Sequence, residues 1–142
     1  MCIKISTIPR YDGSAYHDSK KTPFNKKPFT KGDRIGVLLE MHKKSLSFYL
    51  NGELVGAPFD NITGPVRAAV TLYAATDKIE LLTGDKIALP KTIPFKPQGK
   101  VSDVIVDNVN NTVTSVASNL PRTILYDLMM TRGVHYWEVK IL

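Results

Sequence analysis

The chain has very little of the covalent and metal chemistry that stabilises many small proteins. It contains one cysteine, Cys2, so no internal disulfide can form. Its three histidines stand apart from one another and from the cysteine, without the ligand spacing of a zinc site. We therefore expect no metal and no cofactor, and a fold that depends on its hydrophobic core.

Long apolar segments are also missing. No stretch approaches the roughly 20 apolar residues that a helix needs to cross a bilayer, so no membrane span is predicted. The first residues do not resemble a secretory signal, and we expect a cytoplasmic protein. With 142 residues, 43% of them hydrophobic and 23% charged, the chain is expected to form a single globular domain.

The common catalytic signatures are missing as well. The sequence contains no phosphate-binding G-x-x-x-x-G-K-[ST], no nucleophile turn G-x-S-x-G and no metalloprotease H-E-x-x-H. No nucleophile lies beside a base in a recognisable pattern. We expect no enzymatic activity.

The formal net charge of +6 raises the question of nucleic-acid or lipid binding. Several lysines cluster between residues 20 and 31, among prolines and polar residues and without regularly spaced aromatics that could stack on bases. A solvated lysine-rich loop is the favoured interpretation. A basic nucleic-acid-binding or lipid-binding module is the alternative, and salt-sensitive retention on heparin would support it.

Alternation of apolar and polar residues dominates what is present, and this period of two is typical of half-buried strands. It runs through residues 34–39, 45–50, 66–73 and 79–81. Asn51-Gly52 favours a two-residue type I′ hairpin, and residues 41–44 and 61–65 are predicted to connect further strands. No helical period is sustained, although residues 120–130 could hold one short turn. The predicted class is all-β.

Two segments together resemble the SPRY domain family. Residues 32–82, GDRIGVLLEMHKKSLSFYLNGELVGAPFDNITGPVRAAVTLYAATDKIELL, are similar to its closing strands, and the final GVHYWEVKIL is similar to its opening core strand. The family order is therefore reversed. The resemblance implies an antiparallel two-sheet β-sandwich, a concanavalin-like (lectin-like) jelly roll that is circularly permuted. Residues 1–84 would match the family's C-terminal half and 101–142 its N-terminal half, with 85–100 as an extended connector.

The resemblance also has consequences for packing and assembly. At the family positions of Tyr136 and Trp137 the strand crosses the core, so both aromatics are expected to be buried. Residues 2–7 could supply another family strand, but the strand that should follow Leu142 has no counterpart. The edge beside residues 136–142 is therefore expected to need a cover, such as residues 2–7, the connector or a second chain in a strand-swapped homodimer.

For function, the resemblance implies a module that binds a protein or a short peptide at its loop end. Tyr73, with Leu72 before it, matches the place where some family members present an aromatic side chain to a peptide. Further predicted partner-binding residues come from two other loops: Tyr11, Asp12, Tyr16, His17 and Arg122. A plain hairpin with Asp12-Gly13 as its turn is the simpler interpretation of the first of these loops. A scaffold fragment without its own site remains the other interpretation of the whole chain.

Overall fold

The structure is a computed structural model. It describes residues 2–6, 14–17, 20–23, 29–55, 59–82, 95–98, 103–116, 122–126 and 129–142; residues 2–6, 14–17, 20–23, 95–98 and 126 are described by their backbone alone. All regular elements in these ranges are strands, as predicted, apart from a single 3₁₀ residue at Asp103. No helix among them is long and apolar enough to cross a membrane.

The strands are numbered in chain order. The first seven are β1 (Cys2–Ser6), β2 (Ser14–His17), β3 (Lys20–Pro23), β4 (Arg34–Glu40), β5 (Ser45–Leu50), β6 (Glu53–Leu54) and β7 (Arg67–Leu72). The remaining six are β8 (Lys78–Leu82), β9 (Phe95–Gln98), β10 (Val104–Asp107), β11 (Thr112–Ser115), β12 (Arg122–Tyr126) and β13 (Val134–Ile141).

The larger sheet has seven strands in the order β10-β11-β8-β13-β4-β5-β6. All of its neighbours are antiparallel. Its central strand, β13, pairs with β4 over seven residues, from Val134↔Glu40 to Lys140↔Arg34, and with β8 over four. The last strand of the chain therefore lies in the middle of the sheet.

This position of β13 corrects the prediction of an open edge at residues 136–142. Strand β8 occupies the side where a missing family strand was expected, so neither residues 2–7 nor the connector is needed there. The unpaired sides of this sheet, within the described residues, belong to β10 and β6. A strand-swapped homodimer stays a prediction, now without the open edge that motivated it.

The smaller sheet has the order β1-β7-β12-β9. Strand β1 (Cys2–Ser6) confirms that a strand forms within the segment predicted to supply one, but it runs parallel to β7 whereas the other pairs are antiparallel, so this sheet is mixed. Strand β12 replaces the helical turn suggested within residues 120–130, because its backbone is paired on both sides. Strand β9 lies inside the predicted connector, and its edge position tolerates Pro97, which has no amide hydrogen to donate.

A third, two-stranded sheet joins β2 to β3. The register Ser14↔Pro23 to His17↔Lys20 leaves residues 18 and 19 between the strands. Asp12 and Gly13, predicted as the turn of a plain hairpin, lie outside the described residues, so that turn stays a prediction. Lys20 and Lys21 lie on β3 rather than in the predicted lysine-rich loop.

The two main sheets share one hydrophobic core, as a β-sandwich requires. The alternating residues predicted to face inward on β4 and β8 are buried there, and Trp137 of β13, only 4% exposed, confirms the predicted core aromatic. On β7 both faces are buried, including Ala69 and Thr71, whereas alternation predicted only one buried face. The small side chains at these positions suit a strand covered on both sides.

The Asn51-Gly52 hairpin is confirmed, with φ of 54° and 91° at the two turn residues, as a type I′ turn requires. Asn51 also ties this turn to the start of β4. Its Oδ1 accepts a hydrogen bond from the Arg34 amide, and its Nδ2 donates to Asp33 Oδ1, both at 2.9 Å. The hydrogen bond from Asn51 is the main reason that the pKa of Asp33 lies below its ordinary value, with burial opposing it.

Tyr136 lies on the opposite face of β13 from Trp137 and is half-buried, so the prediction that it enters the core is wrong. Its ring lies over Gly36 of β4, where a Cβ atom would come within 2.5 Å of the Tyr136 hydroxyl oxygen. Tyr49 meets it edge to face, with ring centroids 6.0 Å apart. The hydroxyl donates a hydrogen bond to Glu138, and burial together with that bond raises the pKa of Tyr136 above its ordinary value.

We predict that Trp137→Ala lowers the free energy of unfolding by about 3 to 5 kcal/mol, because it leaves a large cavity beneath the central strand. Urea denaturation followed by far-UV circular dichroism measures this. Val134→Ala is the matched control, since Val134 lies on the same strand and is 44% exposed; its effect should stay within about 0.5 kcal/mol. Equal effects of the two variants would contradict the core assignment.

We also predict that Gly36→Ala destabilises the chain by about 1 to 3 kcal/mol, because the new methyl group collides with a tyrosine held by Glu138. In a Tyr136→Ala background the same change should be neutral or stabilising, since glycine disfavours strands. A double-mutant cycle with a coupling free energy of at least about 1 kcal/mol is expected. Additive effects would show that the ring does not lie over Gly36.

Candidate functional site

One end of the sandwich brings together the start of β12, the end of β7 and the loop 73–77 that leads to β8. The starts of β8 and β10 and the end of β11 also reach this end. Arg122 pairs in register with Leu72, so two predicted site residues from distant parts of the chain become neighbours. One residue further along, the hydroxyls of Thr71 and Thr123 are 3.0 Å apart and join β7 to β12. We call this region the loop end.

Tyr73 is the first residue of the loop and is half-buried. Its backbone amide donates a hydrogen bond to Asp77 Oδ2 at 2.9 Å, and the Ala74 amide donates to the same oxygen at 2.9 Å. One carboxylate therefore holds the backbone of the residue that carries the predicted binding aromatic. The backbone at Tyr73 is therefore held by a hydrogen bond within its own loop.

The loop is also anchored to the larger sheet. The Thr76 amide donates to the Ser115 carbonyl, and the Ser115 amide donates to the Asp77 carbonyl, both at 2.9 Å. Thr76 adopts a φ of 78°, a left-handed conformation that is unfavourable for a β-branched residue. Such strain costs about 1 to 3 kcal/mol and persists only where the surroundings enforce it, often at functional sites. The loop is a rigid bridge between the two sheets.

Arg122 provides a second bridge at this end. Its side chain points between the sheets, on the same face of β12 as the fully buried Ile124, and forms an ion pair with Asp103 at the start of β10. The side chains are only 17% and 22% exposed. The guanidinium is thus directed towards the larger sheet, and the structure gives Arg122 a positioning role; direct partner contact stays a prediction.

The remaining predicted site residues are either buried or not described by their side chains. Leu72 is fully buried, so its side chain supports Tyr73 from the core and is not presented to a partner, which corrects the prediction. Tyr16 and His17 lie on β2, but their side chains fall outside the described residues. Tyr11 and Asp12 lie outside the described residues altogether.

Two residues of the loop end, Asp77 and Asp103, were not predicted from the sequence. Asp77 follows Tyr73 by four residues and precedes a strand, a placement typical of an aspartate that accepts hydrogen bonds from turn amides, so this signal was available. Asp103 gave no signal, because only folding brings it to Arg122. Within the described residues no cluster of three or more metal-ligating side chains occurs.

We predict that Arg122→Leu and Asp103→Asn each lower the free energy of unfolding by about 1 to 3 kcal/mol, since each leaves a largely buried partner without its counterion. The double variant should lose less than the sum. The Lys43–Glu40 pair, 2.8 Å between Nζ and Oε1, is the control, because its lysine is 60% exposed; Lys43→Ala should cost no more than about 0.5 kcal/mol. If the effects of Arg122→Leu and Asp103→Asn on the free energy of unfolding were additive, the ion pair between the two sheets would be contradicted.

Comparison with known families agrees with this architecture. The family model of the SPRY domain matches residues 5–86, which is more than half of the chain and includes β4, β5, β7, β8 and the loop 73–77. The match ends before β10, so the permuted placement of residues 101–142 stays a prediction. The matched segment and the two-sheet β-sandwich together show that the chain belongs to the SPRY domain family.

Proposed function

We propose that this chain is a non-catalytic recognition module of the cytoplasm that binds a short segment of a protein partner at its loop end. SPRY domains are generally protein-interaction modules, so the class of partner rests on family membership. The finer assignment rests on the geometry described above. A fold alone does not fix a function, so the binding mode follows from the residues of the loop end.

The observation that carries the proposal is the preorganised loop 73–77. Tyr73 follows the fully buried Leu72, its backbone is held by Asp77, and its own side chain remains partly accessible. A rigid aromatic on a fixed backbone loses little conformational entropy when it binds, and tyrosine adds a hydroxyl that can form hydrogen bonds. These are the properties of an interface anchor.

The rigidity of the whole loop end also supports the proposed binding of a peptide segment. The hydrogen bonds to Ser115 and the Arg122–Asp103 ion pair join the two sheets at this end and hold the loop in place. A preformed surface of this kind captures a peptide with little change in its own backbone. The alternative of a scaffold fragment without a site gives no reason for the strained Thr76 or for the carboxylate that caps Tyr73.

We predict that Tyr73→Ala leaves the thermal midpoint nearly unchanged but weakens binding of a partner isolated by pull-down with the unmodified chain by about 1 to 2 kcal/mol. Isothermal titration calorimetry measures the affinity, and differential scanning calorimetry the stability. Leu54→Ala is the control: Leu54 is 60% exposed on β6 and should affect neither quantity. Unchanged affinity with Tyr73→Ala, or a large loss of stability, would reject the assignment.

A further inference from the structure

A cleft of about 390 Å³ opens beside the loop that carries Tyr73. It is lined by Phe29, Thr30, Lys31, Thr76, Asp77, Lys78, Ile141 and Leu142. Its volume falls within the range of ligand-binding pockets, about 300 to 1,000 Å³. Asp77 and Thr76 belong both to the cleft and to the loop 73–77, so the cleft shares two residues with the loop that begins at Tyr73.

The topology of the larger sheet creates this cleft. Strand β13 ends between the starts of β4 and β8, and the backbone is tied on both sides. The Gly32 amide donates to the Ile141 carbonyl at 2.8 Å, and the Leu142 amide donates to the Lys78 carbonyl at 2.9 Å. The cleft is therefore a fixed depression at the end of three strands.

The wall formed by residues 29–31 is also held in place. The amide and the hydroxyl of Thr30 both donate to Asp33 Oδ2, at 2.7 and 3.0 Å, and the Asp33 amide donates back to the Thr30 carbonyl at 3.1 Å. Asp77 fixes the opposite wall through the amides of Tyr73 and Ala74. Both walls are preorganised, which lowers the entropic cost of binding a ligand.

The chemistry of the lining is asymmetric. Phe29, which is buried, and the partly buried Ile141 and Leu142 provide apolar surface, whereas Lys31 and Lys78 are exposed at the rim. Within the described part of the chain, no carboxylate lies within ion-pair distance of either ammonium group. Each ammonium has three donors to offer.

The carboxylates near the cleft already accept hydrogen bonds from other groups of the chain. Asp77 accepts two backbone amides, and Asp33, behind Thr30, accepts three hydrogen bonds from Thr30 and Asn51. The side chain and amide of Asn110 chiefly hold the pKa of Asp107 below its ordinary value, and the charge of Lys78 contributes least. A ligand in the cleft therefore meets two ammonium groups and apolar surface, together with the Asp77 carboxylate, whose Oδ2 already accepts hydrogen bonds from two loop amides.

We propose that this cleft binds an acidic, aliphatic segment of the partner, in which an aspartate or glutamate side chain lies between Lys31 and Lys78 and a neighbouring leucine or isoleucine packs on Phe29, Ile141 and Leu142. The proposal rests on the proposed function and specifies the chemistry of its partner. Charge complementarity selects an acidic peptide over a basic one, and the apolar floor selects a peptide over a simple anion. Tyr73, across the same loop, anchors the adjoining part of the peptide.

The test uses a fluorescein-labelled peptide in which aspartate and glutamate alternate with leucine and isoleucine, titrated with the full chain by fluorescence anisotropy. A peptide with lysine at every acidic position is the control probe. The acidic peptide should bind at least about tenfold more tightly than the lysine peptide, and its affinity should fall as salt is added. Amide signals of Phe29, Thr30, Thr76 and Leu142 should shift in NMR spectra.

Charge reversal at the rim separates the cleft from the general positive charge of the chain. The double variant Lys31→Glu/Lys78→Glu should lower the affinity of the chain for the acidic peptide by at least about tenfold. The double variant Lys44→Glu/Arg132→Glu makes the same change in net charge at exposed positions near the other ends of β4 and β13. It should lower the affinity for the acidic peptide by less than about threefold. Circular dichroism checks that both variants fold.

Each contrary outcome overturns the proposal. Failure of the acidic peptide to bind, equal weakening by both charge reversals, or equal competition by inorganic phosphate would exclude an acidic peptide as the occupant. If the chain binds heparin through Lys31 and Lys78 but does not bind the peptide, a nucleic-acid-binding function is favoured instead. If a pulled-down partner requires Tyr73 but tolerates Lys31→Glu/Lys78→Glu, the cleft proposal fails while the proposed function stands.

Discussion

The pairing of β13 on both of its sides is the constraint on which the rest of the larger sheet depends. Without this strand the sheet would separate into β10-β11-β8 and β4-β5-β6, because no other strand among the described residues joins the two groups. The same strand contributes Trp137 and Val139 to the core. Its seven pairs with β4 and four with β8 thus fix the sheet order and fill the space between the sheets. Residues at one end of the chain hold together strands that lie far from them in sequence.

This central pairing also determines where the proposed recognition surface lies. Since β13 runs antiparallel to β4 and β8, its last residues lie between the starts of both, and a depression forms where the three strands end. The loop 73–77 reaches the same place because it connects β7 of the smaller sheet to β8 of the larger one. Asp77 and the Arg122–Asp103 pair then stiffen the place where the two sheets meet. Topology brings the elements together, and a few side chains make the surface rigid.

Local patterns in the sequence predicted local structure well and spatial neighbours poorly. Alternation identified β4, β5, β7 and β8, and Asn51-Gly52 identified its turn, because both signals arise within a few residues. Alternation indicates which face of a strand is buried but not which strand lies beside it. That is why β13 was placed at an edge and the parallel partner of β7 was not foreseen. Strand β12 was missed because its pairing to β7 and β9, rather than its own pattern, makes it a strand.

The candidate site shows the same division between local and long-range information. The segment that matches the family carries Tyr73, Asp77 and the two lysines of the cleft, whereas Ile141, Leu142 and the Arg122–Asp103 pair come from outside it. The surface is therefore assembled from both parts of the chain, whatever their order in sequence. A sandwich tolerates a change of strand order because a binding surface depends on which strand ends meet in space. Residues 5–86 alone would keep the aromatic anchor and the charged rim but would lose most of the apolar floor and the bridge between the sheets. The proposed recognition surface is consequently inseparable from the fold, because the strand that completes the core also completes the cleft.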